Sequence, residues 1–161
     1  MLSESPDIQT RALEDHVRDR YAQGAAAVQP SLCCPTEYDP GYLAVLPEEI
    51  LVKDYGCGDP SRYVHAGETV LDLGSGAGKI CYILAQKVGP GGRVIGVDFN
   101  DPMLALAEKY HDEISERLGY DNVRFVKGRI QDLALDLHAC EQWLREHPVA
   151  SVEAVDAYQA F

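Results

Sequence analysis

Thr69-Val70-Leu71-Asp72-Leu73-Gly74-Ser75-Gly76-Ala77-Gly78-Lys79 decides how the rest of the chain is read. An apolar run with an acid near its end passes into Gly-x-Gly-x-Gly, and a helical pattern begins at once after it. The stretch reads as a buried parallel strand, a tight loop and a helix N-terminus. Glycines in such a loop let the backbone approach a ligand with no Cβ in between. A dinucleotide loop needs Gly-x-Gly-x-x-Gly, and Gly78 comes one residue too early for it. A phosphate loop of the form Gly-x-x-x-x-Gly-Lys-Ser/Thr would use Gly78-Lys79. Leu73 stands where its first glycine belongs, however, and Ile80 where its hydroxyl belongs.

A third reading fits better. An acid, one apolar residue and Gly-x-Gly-x-Gly resemble the loop that holds S-adenosylmethionine, a cofactor with no phosphate and so no need of the lysine. Its amino-acid end and ribose are groups that backbone amides and carboxylates can hold. Asp72, Gly74, Ser75, Gly76 and Gly78 are the candidates here. Arg93-Val94-Ile95-Gly96-Val97-Asp98 is a second β-rich run, and Asp98 falls 20 residues past Gly78. An acid ending the second strand of a doubly wound sheet grips ribose hydroxyls. A carboxylate has acceptors for both of them. Phe99 follows directly and joins the candidates. The alternative for Asp98 is a helix cap, a task that suits Asp101 better, with Pro102 at the first helical position.

Composition sets bounds on function. With 161 residues the chain can bury a real core as one domain, and 46% hydrophobic and 25% charged content are ordinary for a globular protein. A formal net charge of −12 argues against nucleic acid or an anionic membrane as partner, since both ask for a basic face. It fits a small-molecule substrate. No apolar run is long enough to span a membrane. Met1 to Arg11 carries acids and lacks the apolar core of a signal peptide. A cytoplasmic location is expected, with the five cysteines as thiols.

Before the loop, Ser5-Pro6 can open a helix, with Ile8, Leu13, Val17 and Tyr21 near helical spacing. Gly24 to Pro30 reads as small and loose, and Pro47-Glu48-Glu49 opens a short helix. Residues 1–62 are expected to form an N-terminal lid or cap carrying Cys33, Cys34 and Cys57. Residues 63–161 are expected to form a partial Rossmann-like cofactor domain. There the pattern is β-α-β-α-β, with helices from about Gly78 to Val88 and Pro102 to about Leu118, and a third strand at Asn122–Gly128. Asp136 to Glu146 and Ser151 to Phe161 both read as helical. No fourth strand follows, although the crevice of a doubly wound sheet lies where strands flank the first one on both sides. The expected fold is therefore α/β, a Rossmann-like sheet truncated after its third parallel strand, with a helical N-terminal segment. The alternative is a short protein that closes its sheet by dimerising.

Cys33-Cys34 and Cys57 precede the cofactor domain, where a segment could fold over the methyl group. Thiolates are soft ligands and strong nucleophiles. The spacing is no zinc pattern, and adjacent cysteines fit disulfide geometry poorly. From residue types alone, small buried side chains are the simpler reading. Tyr55-Gly56-Cys57-Gly58, taken with Cys33-Cys34, Val70 to Tyr82 and Val88 to Asp98, closely resembles the arsenite methyltransferases. The similarity runs from about Val17 to Asp132. Tyr-Gly-Cys-Gly ahead of the loop is its specific part.

The resemblance implies an S-adenosylmethionine-dependent methyltransferase in which thiolates hold trivalent arsenic and the arsenic lone pair attacks the sulfonium methyl group. By carry-over Cys57 and one of Cys33 or Cys34 would be catalytic arsenic ligands or redox partners. The substrate would be arsenite or thiol-bound arsenic, with a thiol reductant as a further partner. Tyr55 would pack on the cofactor, while Cys81 and Cys140 read as packing. Such proteins hold the adenine after the third strand, which places a backbone amide near Ile130 and the side chain of Gln131 or Asp132 at its polar edge. Asp132 has a helix cap as its alternative. The family's two further cysteines lie beyond the third strand, outside what this chain offers in that region. Two other functions remain open: methyl transfer to a small organic substrate, and a non-catalytic fragment.

Overall fold

A computed structural model describes residues 6–32, 37–56 and 58–148, with the side chains of residues 6–12, 14 and 32 left aside. Three parallel strands form one sheet in the order β1-β2-β3: β1 (Thr69–Leu73), β2 (Arg93–Asp98) and β3 (Val123–Lys127). Val70 pairs with Val94, and Val94 with Val123. All three strands thus point their C-terminal ends to one edge of the molecule. The α/β, Rossmann-like reading is correct.

Among the described residues seven helices accompany the sheet. They are α1 (Pro6–Ala26), α2 (Pro40–Leu43), α3 (Glu48–Val52), α4 (Lys79–Val88), α5 (Asp101–Lys109), α6 (His111–Leu118) and α7 (Leu137–Glu146). Short 3₁₀ turns lie at Pro30–Leu32 and Pro60–Tyr63. α4 is buried on most of its faces. Ile83, Leu84 and Val88 are buried, and so are Cys81, Tyr82 and Ala85, while Ile80 is partly buried. The reason is that α4 lies between the sheet and the N-terminal segment, whose Leu46 and Ile50 belong to the same apolar cluster. Tyr82 packs edge-on against Phe125 of β3, and its hydroxyl donates to the Ala107 carbonyl of α5 at 2.8 Å.

Three local expectations need correction. The span from Pro102 to Leu118 is two helices, because the backbone leaves helical geometry at Tyr110 (φ −109°, ψ 6°). Lys109 and Tyr110 both turn to Glu49 of α3 there, and Asp112 and Glu113 open the next helix. The cap of α5 is Asn100, whose side chain accepts from the Met103 amide, so Asp101 is already the first helical residue. Finally, Gly24 is not in a loose stretch but inside α1. A Cβ on it would sit 2.6 Å from the Tyr55 ring, so the glycine is the seat of that ring.

The edge of β1 away from β2 is unpaired among the described residues, and Leu71 and Leu73 of that strand are each 48% exposed. No described helix is long and apolar enough to cross a membrane. Residues 151–161, read as helical from sequence, lie outside the described residues.

Candidate functional site

A cavity of about 580 Å³ opens at the C-terminal ends of the strands. The end of β1 and the glycine loop form its floor through Asp72, Gly74, Ser75 and Gly76; the end of β2 adds Asp98 and Phe99. Arg129, Ile130 and Gln131 enter from the loop after β3, and α1 and the 53–60 segment close the opposite side. Ligands of open α/β sheets bind at this edge, and the volume suits a small cofactor.

Backbone bonds set the floor. The amides of Gly74 and Ser75 both donate to the Val97 carbonyl, at 2.8 and 3.0 Å. The Gly76 amide donates to Asp98 Oδ2 at 2.9 Å, and the Asn100 amide donates to Asp98 Oδ1 at 2.8 Å. The carboxylate thereby bridges the loop and the end of β2. Each of its oxygens has a second lone pair left for a hydroxyl. Gly76 has φ +53°, and a Cβ on it would meet nothing within 4 Å, so the space beside it is open. Gly78 is different. It does not line the cavity, and a Cβ on it would lie 2.7 Å from Phe125. Its φ of +83° turns the chain into α4, for which it is the N-cap.

Asp72 is half-buried, and loss of water around it pushes its carboxyl above the usual carboxylate range. The Cys81 thiol donates to Asp72 Oδ2 at 3.2 Å and works against that rise, while Asp98 and Asp54 add to it. Cys81 is fully buried, and burial holds its own pKa far above the ordinary thiol value. It is therefore a neutral packing residue with one polar contact. Ser75 is 7% exposed, and among the described residues its hydroxyl oxygen has no hydrogen-bond partner.

The wall opposite is tied down over long sequence distances. The Asn100 side-chain amide donates to the Arg18 carbonyl at 2.8 Å, which fixes α1 beside the end of β2. The Tyr55 hydroxyl donates to the Gly24 carbonyl at 3.0 Å and accepts from the Gln29 amide at 3.1 Å. The Tyr55 ring meets Tyr21 edge-on, and both rings line the cavity.

A family described as "Methyltransferase domain" matches residues 64–154 of this sequence. The chain belongs to that family. Within 116 aligned residues, 70% of this methyltransferase-domain chain, it is 41% identical to the arsenite methyltransferase of Aquipseudomonas alcaligenes. It is also 41% identical over 88 residues, 53% of the chain, to the human arsenite methyltransferase. The aligned stretches span 34% of the bacterial relative and 24% of the human one, so the chain covers about a third or less of their length. A crystal structure of an arsenic (III) S-adenosylmethionine methyltransferase from Chlamydomonas reinhardtii superposes with a TM-score of 0.55 at 36% identity. That match covers 61% of this chain and 34% of the algal one.

The methyltransferase-domain fold brings Tyr55, Asp72, Gly74, Ser75, Gly76, Asp98, Phe99, Ile130 and Gln131 to one cavity. Gly78 stands behind it. Asp132 lies outside it and caps no helix; its side chain accepts from the Ala134 amide at 3.1 Å in a local turn. Cys33, Cys34 and Cys57 lie outside the described residues. Cys140 is buried at 5% exposure. Sequence reading missed Asn100, Gly24 and Asp54. Asn100 carried a signal, since Asn before Asp-Pro is a good cap; the seat of Tyr55 on Gly24 and the pairing of Asp54 with Lys79 are contacts distant in sequence.

Proposed function

We propose that this chain binds S-adenosylmethionine and forms the cofactor-holding part of a methyltransferase acting on trivalent arsenic. The observation that carries the cofactor reading is the Asp98 bridge. One carboxylate accepts the Gly76 amide and faces a cavity with open space over the glycine loop. These residues fit the group. Asp98 would receive the ribose hydroxyls, the loop and Asp72 the amino-acid end, and Ile130 and Gln131 the adenine edge. Three carboxylates, Asp54, Asp72 and Asp98, line the site and suit a ligand with a positive sulfur and an ammonium. When bound, the cofactor supplies a methyl group already activated by that sulfur.

The chain's own task is then positioning. Tyr21, Tyr55, Phe99 and Met103 present apolar surface to the cavity and limit water there. No general base is demanded when the nucleophile is an arsenic lone pair. The arsenic part of the reading is supported by 36–46% identity to several arsenite methyltransferases and by Tyr55-Gly56-Cys57-Gly58. In it Cys57 and one of Cys33 or Cys34 hold the metalloid as thiolates.

Cys57→Ser tests it. Serine keeps the volume and replaces a soft donor with a hard one. Cofactor affinity, measured by calorimetry, is expected to stay unchanged. Arsenite-dependent transfer of a labelled methyl group is expected to fall steeply. The arsenic reading is wrong if transfer is unaffected by Cys57→Ser, or if the unmutated protein transfers no methyl group to arsenite.

A further inference from the structure

Lys79 completes the glycine loop, yet a cofactor without phosphate has no use for it. Its side chain is 10% exposed and its ammonium pairs with the Asp54 carboxylate, itself 14% exposed. The same ammonium lies 4.1 Å from the centre of the Tyr38 ring. An ammonium so removed from water is unfavourable unless paired and well placed.

The partners of Lys79 converge on one short segment. Asp54 Oδ2 accepts the Gly56 amide at 3.3 Å. The Tyr38 hydroxyl donates to the Gly58 carbonyl at 3.0 Å. Gly56 and Gly58 are the two neighbours of residue 57, so both flanks of that position hang from the first residue of α4. Packing does not do the same job. A Cβ on Gly58 would meet nothing within 4 Å, and the three atoms nearest a Cβ on Gly56 would be the Asp54 carboxylate oxygens and the Tyr38 hydroxyl.

We infer that Lys79, acting through Asp54 and Tyr38, is a positioning residue that ties Gly56 and Gly58, the sequence neighbours of Cys57, to the cofactor loop. The inference rests on the reading of Cys57 as a working thiolate. It gives the loop lysine a task that neither a phosphate site nor a plain helix start would give it. Lys79 leaves the glycine loop directly, so the clamp ties the segment around Cys57 to the same loop that holds the cofactor.

Hydrogen exchange of the 55–59 backbone, resolved by peptide mass, reads the clamp without any need for catalysis. The test set is the unmutated chain, Lys79→Met, Lys79→Arg and Tyr38→Phe, each checked for a cooperative melt. Lys79→Met is expected to speed exchange in this segment about tenfold while the β1 and β2 amides stay protected. Lys79→Arg, which keeps a cation for Asp54, is expected to restore most of the protection. Should Lys79→Met fail to fold, Tyr38→Phe serves alone, because it keeps the ring and removes the hydroxyl that donates to Gly58. In arsenite methylation Lys79→Met is expected to lower kcat and to leave the KM for S-adenosylmethionine unchanged, with rescue by arginine. Unchanged exchange in Lys79→Met, or in Tyr38→Phe if it stands alone, would overturn the clamp. Equal loss of kcat in Lys79→Met and Lys79→Arg would overturn it too. A protein that methylates no arsenite but shows the exchange pattern would keep the clamp and lose only the assigned substrate.

Discussion

Two carboxylates close together in the site work under opposite conditions. Asp98 is held by two backbone amides, while Asp72 is half-buried beside a thiol and two other acids. A carboxyl raised above its unfolded value binds its proton more tightly in the folded chain. Stability then falls as pH climbs from about 4 through that raised pKa, and stays reduced above it. Asp72→Asn removes this cost and still accepts the Cys81 thiol. The variant is expected to melt higher than the unmutated chain at pH 7, to gain little at pH 3, and to bind cofactor more weakly. A neutral-pH melting point at or below the unmutated value would contradict the account of Asp72. The glycines separate in the same way. Gly76→Val is expected to abolish cofactor binding while retaining most of the helical circular dichroism, since its side chain enters open space. Gly78→Ala is expected to lose more stability than Gly76→Ala, because its methyl meets Phe125 and Ala107. Chemical denaturation of the two variants checks that order. The glycine loop and Asp98 were legible in the sequence because strand, loop and helix follow one another within a few residues. The different task of Gly78 was not, since Phe125 reaches it from 47 positions away.

Helices that look independent in sequence are joined by single side chains. Glu49 of α3 receives Lys53, Lys109 and the Tyr110 hydroxyl. Those hydrogen bonds, that of Lys109 foremost, hold its pKa at about 2. A depressed carboxyl contributes stability above its unfolded pKa and loses it as pH falls through the folded one. Glu49→Gln is therefore expected to lower stability above about pH 5, by about 1 kcal/mol or less after solvent screening. The difference should shrink between about pH 4 and pH 2, and urea titrations across that range would measure it. This cluster also explains why one periodic stripe from Met103 to Ile114 is two helices. Sequence periodicity carries the apolar face, while the break at Tyr110 comes from a partner 61 residues away. α7, by contrast, was readable as a helix: the pattern from Asp136 to Glu146 predicts it, and it runs from Leu137 to Glu146, with Asp136 accepting from the Ala139 amide as its cap.

At the scale of the molecule, the C-terminal ends of three parallel strands, α1 and the segment before the 3₁₀ turn at Pro60–Tyr63 enclose one site. The strand order was legible because right-handed crossovers leave few choices for β-α-β-α-β. The closing wall was not. It depends on Asn100 holding Arg18 across 82 residues, Tyr55 seated on Gly24 across 31, and Lys79 paired with Asp54. None of these contacts has a local pattern. They make the N-terminal segment part of the site, and in the proposed function the Asp98 carboxylate receives the ribose hydroxyls of the cofactor. That central claim is tested most directly by calorimetric titration of S-adenosylmethionine into the 161-residue chain and its Asp98→Ala variant. One saturable site is expected in the unmutated chain, weakened in the variant by about 1.5–3 kcal/mol, or roughly ten- to a hundredfold. No saturable binding, or equal affinity in the two proteins, would contradict it.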